Sequence, residues 1–207
     1  TYIGHDGTGY RTGLATSDDL IHWERRGCIL DKGPQGAFDA HGAAGLSVLG
    51  DGELLGGHEP HRVRGKYWLS YYGNDEPGYE AGYGFIGLAT SADLTAWARF
   101  EKNPILSPKD GASWEKGTLY KSFLFRGPAG KFYLFYNAKD SLGGPWVEAT
   151  GLATSDDLAS WKREASNPIL PHGPEGAWDS AFASDPIVFH HRFHHRSLYV
   201  MFYYGFD

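Results

Sequence analysis

An all-β fold of repeated four-stranded antiparallel units, the plan of a β-propeller, is predicted by three observations. The first is a motif that occurs three times. Gly13-Leu14-Ala15-Thr16-Ser17 recurs as Gly87-Leu88-Ala89-Thr90-Ser91 and as Gly151-Leu152-Ala153-Thr154-Ser155, at spacings of 74 and 64 residues. Each copy runs through Asp-Leu to a tryptophan (Trp23, Trp97, Trp161) and on to an Ile-Leu end. The second is an aromatic run of the same period: Lys66-Tyr67-Trp68-Leu69-Ser70-Tyr71-Tyr72, Lys131-Phe132-Tyr133-Leu134-Phe135-Tyr136-Asn137 and Leu198-Tyr199-Val200-Met201-Phe202-Tyr203-Tyr204. The third is composition. Aromatics reach 15%, there are 29 glycines and one methionine, which suits short strands and tight turns rather than a helical bundle. No unit carries an apolar pattern of helical period and length.

Each unit reads as four strands. Strand A opens at the Glu59, Lys121 or Asp185 position, strand B is the aromatic run, strand C carries Gly-Leu-Ala-Thr-Ser, and strand D leads from the tryptophan to Ile-Leu. Residues 1–30 are then part of one blade, 31–106 and 107–170 are whole blades, and 171–207 supply strands A and B of another. That is about three blades' worth, and rings close at roughly four to eight, so an incomplete propeller with open, association-prone edges is expected. The periodic tryptophans are expected to pack between blades.

The bulk properties exclude several partners. Net charge is −6 with no Lys/Arg run, so no basic stripe exists for nucleic acid. No apolar stretch approaches the roughly 18 residues of a membrane-spanning helix, and no motif asks for a cofactor. The lone Cys28 cannot form an internal disulfide. The chain starts at Thr1 without a signal-peptide pattern, and the compartment stays open.

Antiparallel parity places the loops. The D-to-A loops, with Phe38-Asp39, Trp114-Glu115 and Trp178-Asp179, share a face with the B-to-C loops around Tyr79 and Trp146. Glu59, Lys121 and Asp185 are expected at that end of the innermost strands, pointing to a central channel. Carboxylates in an aromatic-rimmed funnel suit sugar chemistry: one acid protonates the leaving oxygen, and one carboxylate activates water or attacks the anomeric carbon. Trp146 has no counterpart in the other repeats, so it is a stacking candidate. Asp39, Glu115 and Asp179 recur with the repeat, which fits a turn role, and their face also makes them candidates for sugar hydroxyls. Lys121 stands where the neighbouring unit has an acid, to tune a carboxylate, bind an anion or form an ion pair with Glu115 or Asp185. The acidic pairs Asp18-Asp19 and Asp156-Asp157 read as turn residues on the opposite face. The run His190-His191-Arg192-Phe193-His194-His195-Arg196 falls on that opposite face too. It has no acid or cysteine nearby in sequence and carries interspersed arginines, so no metal site is expected.

The Ser-x-Asp-Leu-x-x-Trp motif (Ser17 to Trp23, Ser91 to Trp97, Ser155 to Trp161) resembles the repeat of five-bladed glycoside hydrolases, family 43 and its relatives in families 32, 68, 117 and 130. The resemblance covers nearly the whole chain and implies a share of a five-bladed ring. Ser184-Asp185-Pro186 resembles the inner-strand Asp-Pro motif of family 43, which implies that Asp185 is base or pKa modulator. His58-Glu59-Pro60 resembles the motif that carries the general acid, which implies that role for Glu59 and a subsite role for His58. Those families place their aspartates before the glutamate, whereas Glu59 precedes Asp185 here. The resemblance points to furanosides or xylosides as substrates. A glycoside phosphorylase holding phosphate with Lys121, Arg62, His58 and His61, and a non-catalytic sugar-binding propeller, are the alternatives.

Overall fold

The computed structural model describes residues 1–207 apart from Asp51, His58, Pro128, His194 and His195. Among the described residues the strands are β1 (Tyr2–His5), β2 (Tyr10–Thr16), β3 (Glu24–Leu30), β4 (Gly42–Val48), β5 (Tyr67–Asn74), β6 (Gly84–Ser91), β7 (Trp97–Arg99), β8 (Thr118–Arg126), β9 (Phe132–Lys139), β10 (Ala149–Ser155), β11 (Lys162–Arg163), β12 (Phe182–Phe193) and β13 (Arg196–Phe206). Among the same residues, helical structure is confined to the 3-10 turns Pro108–Asp110 and Ser113–Glu115. Strands β4-β5-β6-β7 and β8-β9-β10-β11 are antiparallel four-strand sets in chain order. β12 and β13 form a two-stranded sheet, and β1-β2-β3 joins β4 through one parallel pair, Tyr10 with Gly42. The architecture is all-β and that of a partial propeller.

The repeated glycine has a steric cause. It pairs across the sheet with a tyrosine of strand B, Gly13 with Tyr2, Gly87 with Tyr71 and Gly151 with Tyr136. A Cβ on Gly87 would lie 2.7 Å from the Tyr71 ring, and one on Gly151 2.6 Å from the Tyr136 ring. The tyrosine therefore lies over the position where any side chain would stand. Ser, Asp and Leu of the same motif build one turn three times. Ser91 Oγ accepts from the Leu94 amide at 2.9 Å, and Asp93 Oδ1 accepts from the amides of Thr95 (2.8 Å) and Ala96 (2.9 Å). Leu94 sits at φ +69°, and its carbonyl accepts from the Trp97 indole at 2.9 Å. The copies at Ser17–Trp23 and Ser155–Trp161 repeat these bonds.

β5 and β6 are buried along nearly their whole length, because both faces are covered by neighbouring sets. The main core lies between the two four-strand sets, where Leu88, Leu119, Leu134, Tyr136 and Leu158 pack together. Trp161 and Trp97 pack on core clusters as expected, while Trp23 is 57% exposed.

One expected strand position is corrected. The inner strand of the first set is β4, which opens at Gly42, not at Glu59. Glu59 is exposed in the connection from β4 to β5, next to Pro60, which bridges back to Gly50. That connection crosses the ends of the inner strands. Gly50 pairs with Phe125 of β8, and Glu53 pairs with His190 of β12.

Candidate active site

All three inner strands break register at the same level. The shift falls between Gly45 and Ser47 in β4, Tyr120 and Phe123 in β8, and Ser184 and Ile187 in β12. An extra residue in one strand of a pair bends it and re-aims its side chain. At two of these bulges the backbone is left-handed, with Lys121 at φ +46° and Asp185 at φ +54°. Leu46, Lys121 and Asp185 consequently line one cavity of about 610 Å³, together with Tyr10, Tyr72, Tyr79, Glu80 and Tyr120.

Asp185 is held on three sides. Lys121 Nζ stands 3.2 Å from its Oδ2, Asn137 Nδ2 donates to its Oδ1 at 2.7 Å, and its own amide donates to Asn137 Oδ1 at 2.8 Å. Burial works against the Lys121 ammonium, but Asp185 beside it wins, and the lysine pKa is raised. The ion-pair reading of Lys121 holds with Asp185 as the partner. Asn137 Nδ2 also reaches Glu148 Oε2 at 3.2 Å, so one amide joins two carboxylates. Glu148 is 3% exposed and accepts from the Trp146 indole at 2.6 Å. That indole also reaches the Tyr120 hydroxyl at 3.1 Å, and Lys139 Nζ lies 4.1 Å from the Trp146 ring centroid. Burial, then the Glu148 charge, pushes the Tyr120 phenol above its usual range, so it stays a neutral hydrogen-bonding group.

Glu80 is the carboxyl that differs from these. It sits half-buried in the connection from β5 to β6, at φ +48°. Burial raises its pKa above the ordinary carboxylate value. Lys121 and Lys139 oppose the shift, and Glu148 and Asp185 add to it. The cavity thus holds a carboxyl biased toward the protonated form beside a carboxylate paired to a cation. Such a pair can donate a proton on one side of a bond and accept one on the other. The aromatic wall is continuous: Tyr79 and Tyr10 centroids are 5.9 Å apart, Tyr10 and Tyr72 6.2 Å, and Tyr72 and Tyr120 6.4 Å. Tyr79 at 70% exposure and Trp146 at 41% present rings to an incoming molecule.

The structure therefore brings Asp185, Lys121 and Tyr79 into one cavity, with Trp146 tied to it through the hydroxyl of the lining residue Tyr120. It does not bring in Glu59, whose connection lies outside the cavity lining. His58, like His194 and His195, lies outside the described residues. Asp39, Glu115 and Asp179 do other work. Asp39 is 0% exposed, 2.7 Å from Arg99 Nε, and accepts from Tyr71 OH at 2.9 Å. Glu115 is 1% exposed, 3.0 Å from Arg163 Nε, and accepts from Tyr136 OH at 2.8 Å. Asn103 and Asn167 donate to the same tyrosines at 3.1 and 3.3 Å. Asp179 keeps the tyrosine of this clamp, Tyr203, at 3.1 Å. Asp39 and Glu115 thus tie the turn before strand A to strands B and D of their set, and Asp179 ties it to strand B, in line with their recurrence. Arg62 is likewise outside the cavity, 4.6 Å over the Tyr67 ring and bonded to the Ala92 carbonyl.

Glu80, Glu148 and Asn137 are the site residues that sequence reasoning passes over. Two signals pointed at them: Glu80 and Glu148 lie one and two residues from the stacking candidates Tyr79 and Trp146, and each stands just before a strand C.

No protein-family model matches the chain. It is 28% identical over 184 residues to a 1,2-beta-oligomannan phosphorylase from Thermoanaerobacter sp. (strain X514), covering 87% of this chain and 49% of that protein. Among solved structures it resembles the BT0996 complex with RGII, with a TM-score of 0.80 and 33% identity, covering 98% of this chain and 59% of the other. A structure named "Glycoside hydrolase" gives a TM-score of 0.79 and 32% identity over the same shares. The chain spans about half the length of the curated relative it matches and 59% of these two structures. Over nearly its whole length, it has the fold of propeller glycoside hydrolases.

Proposed function

We propose that this chain carries the carboxylates of a glycoside hydrolase acting on oligo- or polysaccharides. The observation that supports this most is Glu80, a carboxyl with a raised pKa in the same cavity as the Lys121-paired Asp185. Glu80 gives its proton to the leaving glycosidic oxygen, and Asp185 serves as base. Asn137 and Glu148 orient Asp185 from behind, and Tyr79 and Trp146 stack on the sugar ring. The activity, like the substrate, belongs to the whole protein of which such a cavity is the centre. Arabinofuranosides and xylosides are the first substrates to test, with the whole protein assayed on a panel of aryl glycosides. Glu80→Gln and Asp185→Asn should each lower kcat by about 10²- to 10⁴-fold. Full rates in both variants would remove the assignment.

Two observations favour a second reading, phosphorolysis. The curated relative is a phosphorylase, and Lys121 and Lys139 place two ammonium groups about the carboxylates. Cleavage that requires inorganic phosphate selects it. Specific affinity without turnover selects a carbohydrate-binding propeller instead. Self-association is a proposal of the same rank. It rests on the exposed Leu198, Tyr199, Phe202, Tyr204 and Phe206 of β13.

A further inference from the structure

A second group of reactive side chains meets at the other end of β12. His190 lies five residues beyond Asp185, roughly 17 Å along the strand. Its ring is buried at 1% exposure. Nδ1 is 3.0 Å from Glu53 Oε1, and Nε2 contacts Ser197 Oγ. Glu53 comes from the connection that crosses from β4, and Ser197 from β13, where it is exposed. A carboxylate at Nδ1 fixes the ring proton on that nitrogen and leaves the Nε2 lone pair for the serine hydroxyl. Carboxylate, imidazole and serine in this order form the relay that activates a serine for acyl transfer, a relay recognised by geometry and not by chain order.

Strand register supplies the surroundings. Arg192 pairs with Ser197 and His190 with Tyr199, so these four side chains share one face of the hairpin. Directly opposed Cβ atoms lie about 5 Å apart, which puts the Arg192 cation within reach of an oxyanion formed at Ser197. The Tyr199 ring, 5.3 Å from His190, gives the site an apolar side. Simple fastening of the crossing segment does not account for the arrangement. Two backbone bonds already fasten it, Leu54 N to His190 O at 2.9 Å and His190 N to Gly52 O at 2.8 Å.

The geometry points to a second catalytic site, Glu53–His190–Ser197, that hydrolyses small, exposed acyl esters. Ser197 Oγ bonds to the acyl carbon while its proton passes to His190 Nε2. The bond from that carbon to the alcohol oxygen breaks, and the alcohol leaves with the proton. Water then adds to the acyl-serine through the same imidazole, releasing the carboxylic acid and restoring the hydroxyl.

The test uses the full chain and two probes. A fluorophosphonate should add once, at Ser197, as read by peptide mass spectrometry. p-Nitrophenyl acetate should give a burst of nitrophenol equal to the protein present. Ser197→Ala should abolish both signals, and Glu53→Gln should slow the burst at least about tenfold. Thermal unfolding of each variant checks that it is folded, and both substitutions lie at exposed positions. An unmodified Ser197 in the folded parent, or a burst unchanged in Ser197→Ala, overturns the proposal.

Discussion

Arg163→Met tests the clamp that ties the second four-strand set together. In the parent, Glu115 is 1% exposed and 3.0 Å from the Arg163 guanidinium, which itself is 23% exposed. Removing one partner of a buried ion pair costs about 3–5 kcal/mol, because the other charge stays buried without compensation. Glu115 keeps two donors, Tyr136 OH at 2.8 Å and the Ala112 amide at 3.1 Å, which places the loss near the lower bound, about 3 kcal/mol. The Ser107 carbonyl also loses its donor from Arg163. In a chain of this size each kcal/mol moves Tm by about 2–4 °C, so a fall of roughly 6–12 °C is expected in a calorimetric scan. Adding Glu115→Gln removes the stranded charge, keeps an oxygen for the Ala112 amide and turns its own amide N–H toward the Tyr136 hydroxyl oxygen, and should restore about 1–2 kcal/mol. A loss under about 1 kcal/mol, or a double variant whose losses simply add, refutes the reading of Glu115 as a buried structural charge.

Four further outcomes are expected. Glu80 must be protonated to act, so kcat/KM should fall as pH rises through its raised pKa. Glu148→Gln removes a like charge and should move that alkaline limb to lower pH, while Lys121→Met removes a favourable cation and should move it to higher pH. A carboxyl whose folded pKa is raised destabilises the fold above that pKa. Glu80→Gln should therefore raise Tm at neutral pH, with the gain vanishing as pH falls below the ordinary carboxylate value. Gly87→Ala places a methyl 2.7 Å from the buried Tyr71 ring and should cost about 1–3 kcal/mol. Gly13→Ala meets Tyr2, which at 42% exposure can swing aside, and should cost less in the same urea titration. Tyr79→Ala should raise KM about five- to tenfold and leave kcat near the parent value, as measured by initial rates.

The repeat made the strand order legible because its residues answer to local forces. Glycine yields to a cross-strand tyrosine, Asp caps a tight turn, and aromatic runs pair as strands. The first inner strand was misplaced for a reason visible in the spacing. Ser47 precedes Ser122 by 75 residues, in step with the 74-residue period, whereas Glu59 lies 62 residues before Lys121. The pair Glu59-Pro60 looked like an inner-strand opening, but β4 is made of Gly42-Ala43-Ala44-Gly45 and shows no such mark. Asp185 was legible because it lies inside the repeat. Glu80 and Glu148 were not, because they fall at different places in the matching connections 75–83 and 140–148, and their proximity to Asp185 arises only on folding. The clamp was half legible. Its acids recurred in the sequence, but that Arg99 and Arg163 fold back onto them is a long-range fact, spanning 60 and 48 residues.

The inner-strand bulge carries a consequence for how such a protein changes over generations. At one level each of the three inner strands takes in one extra residue, and that residue is a leucine, a lysine or an aspartate. The neighbouring hydrogen bonds survive each choice, so the position behaves as a socket: what is plugged in alters the chemistry of the cavity without asking the blade to refold. A scaffold of near-identical parts can thereby hold an unlike set of reactive groups, and a new substrate needs substitutions at a few sockets rather than a new architecture.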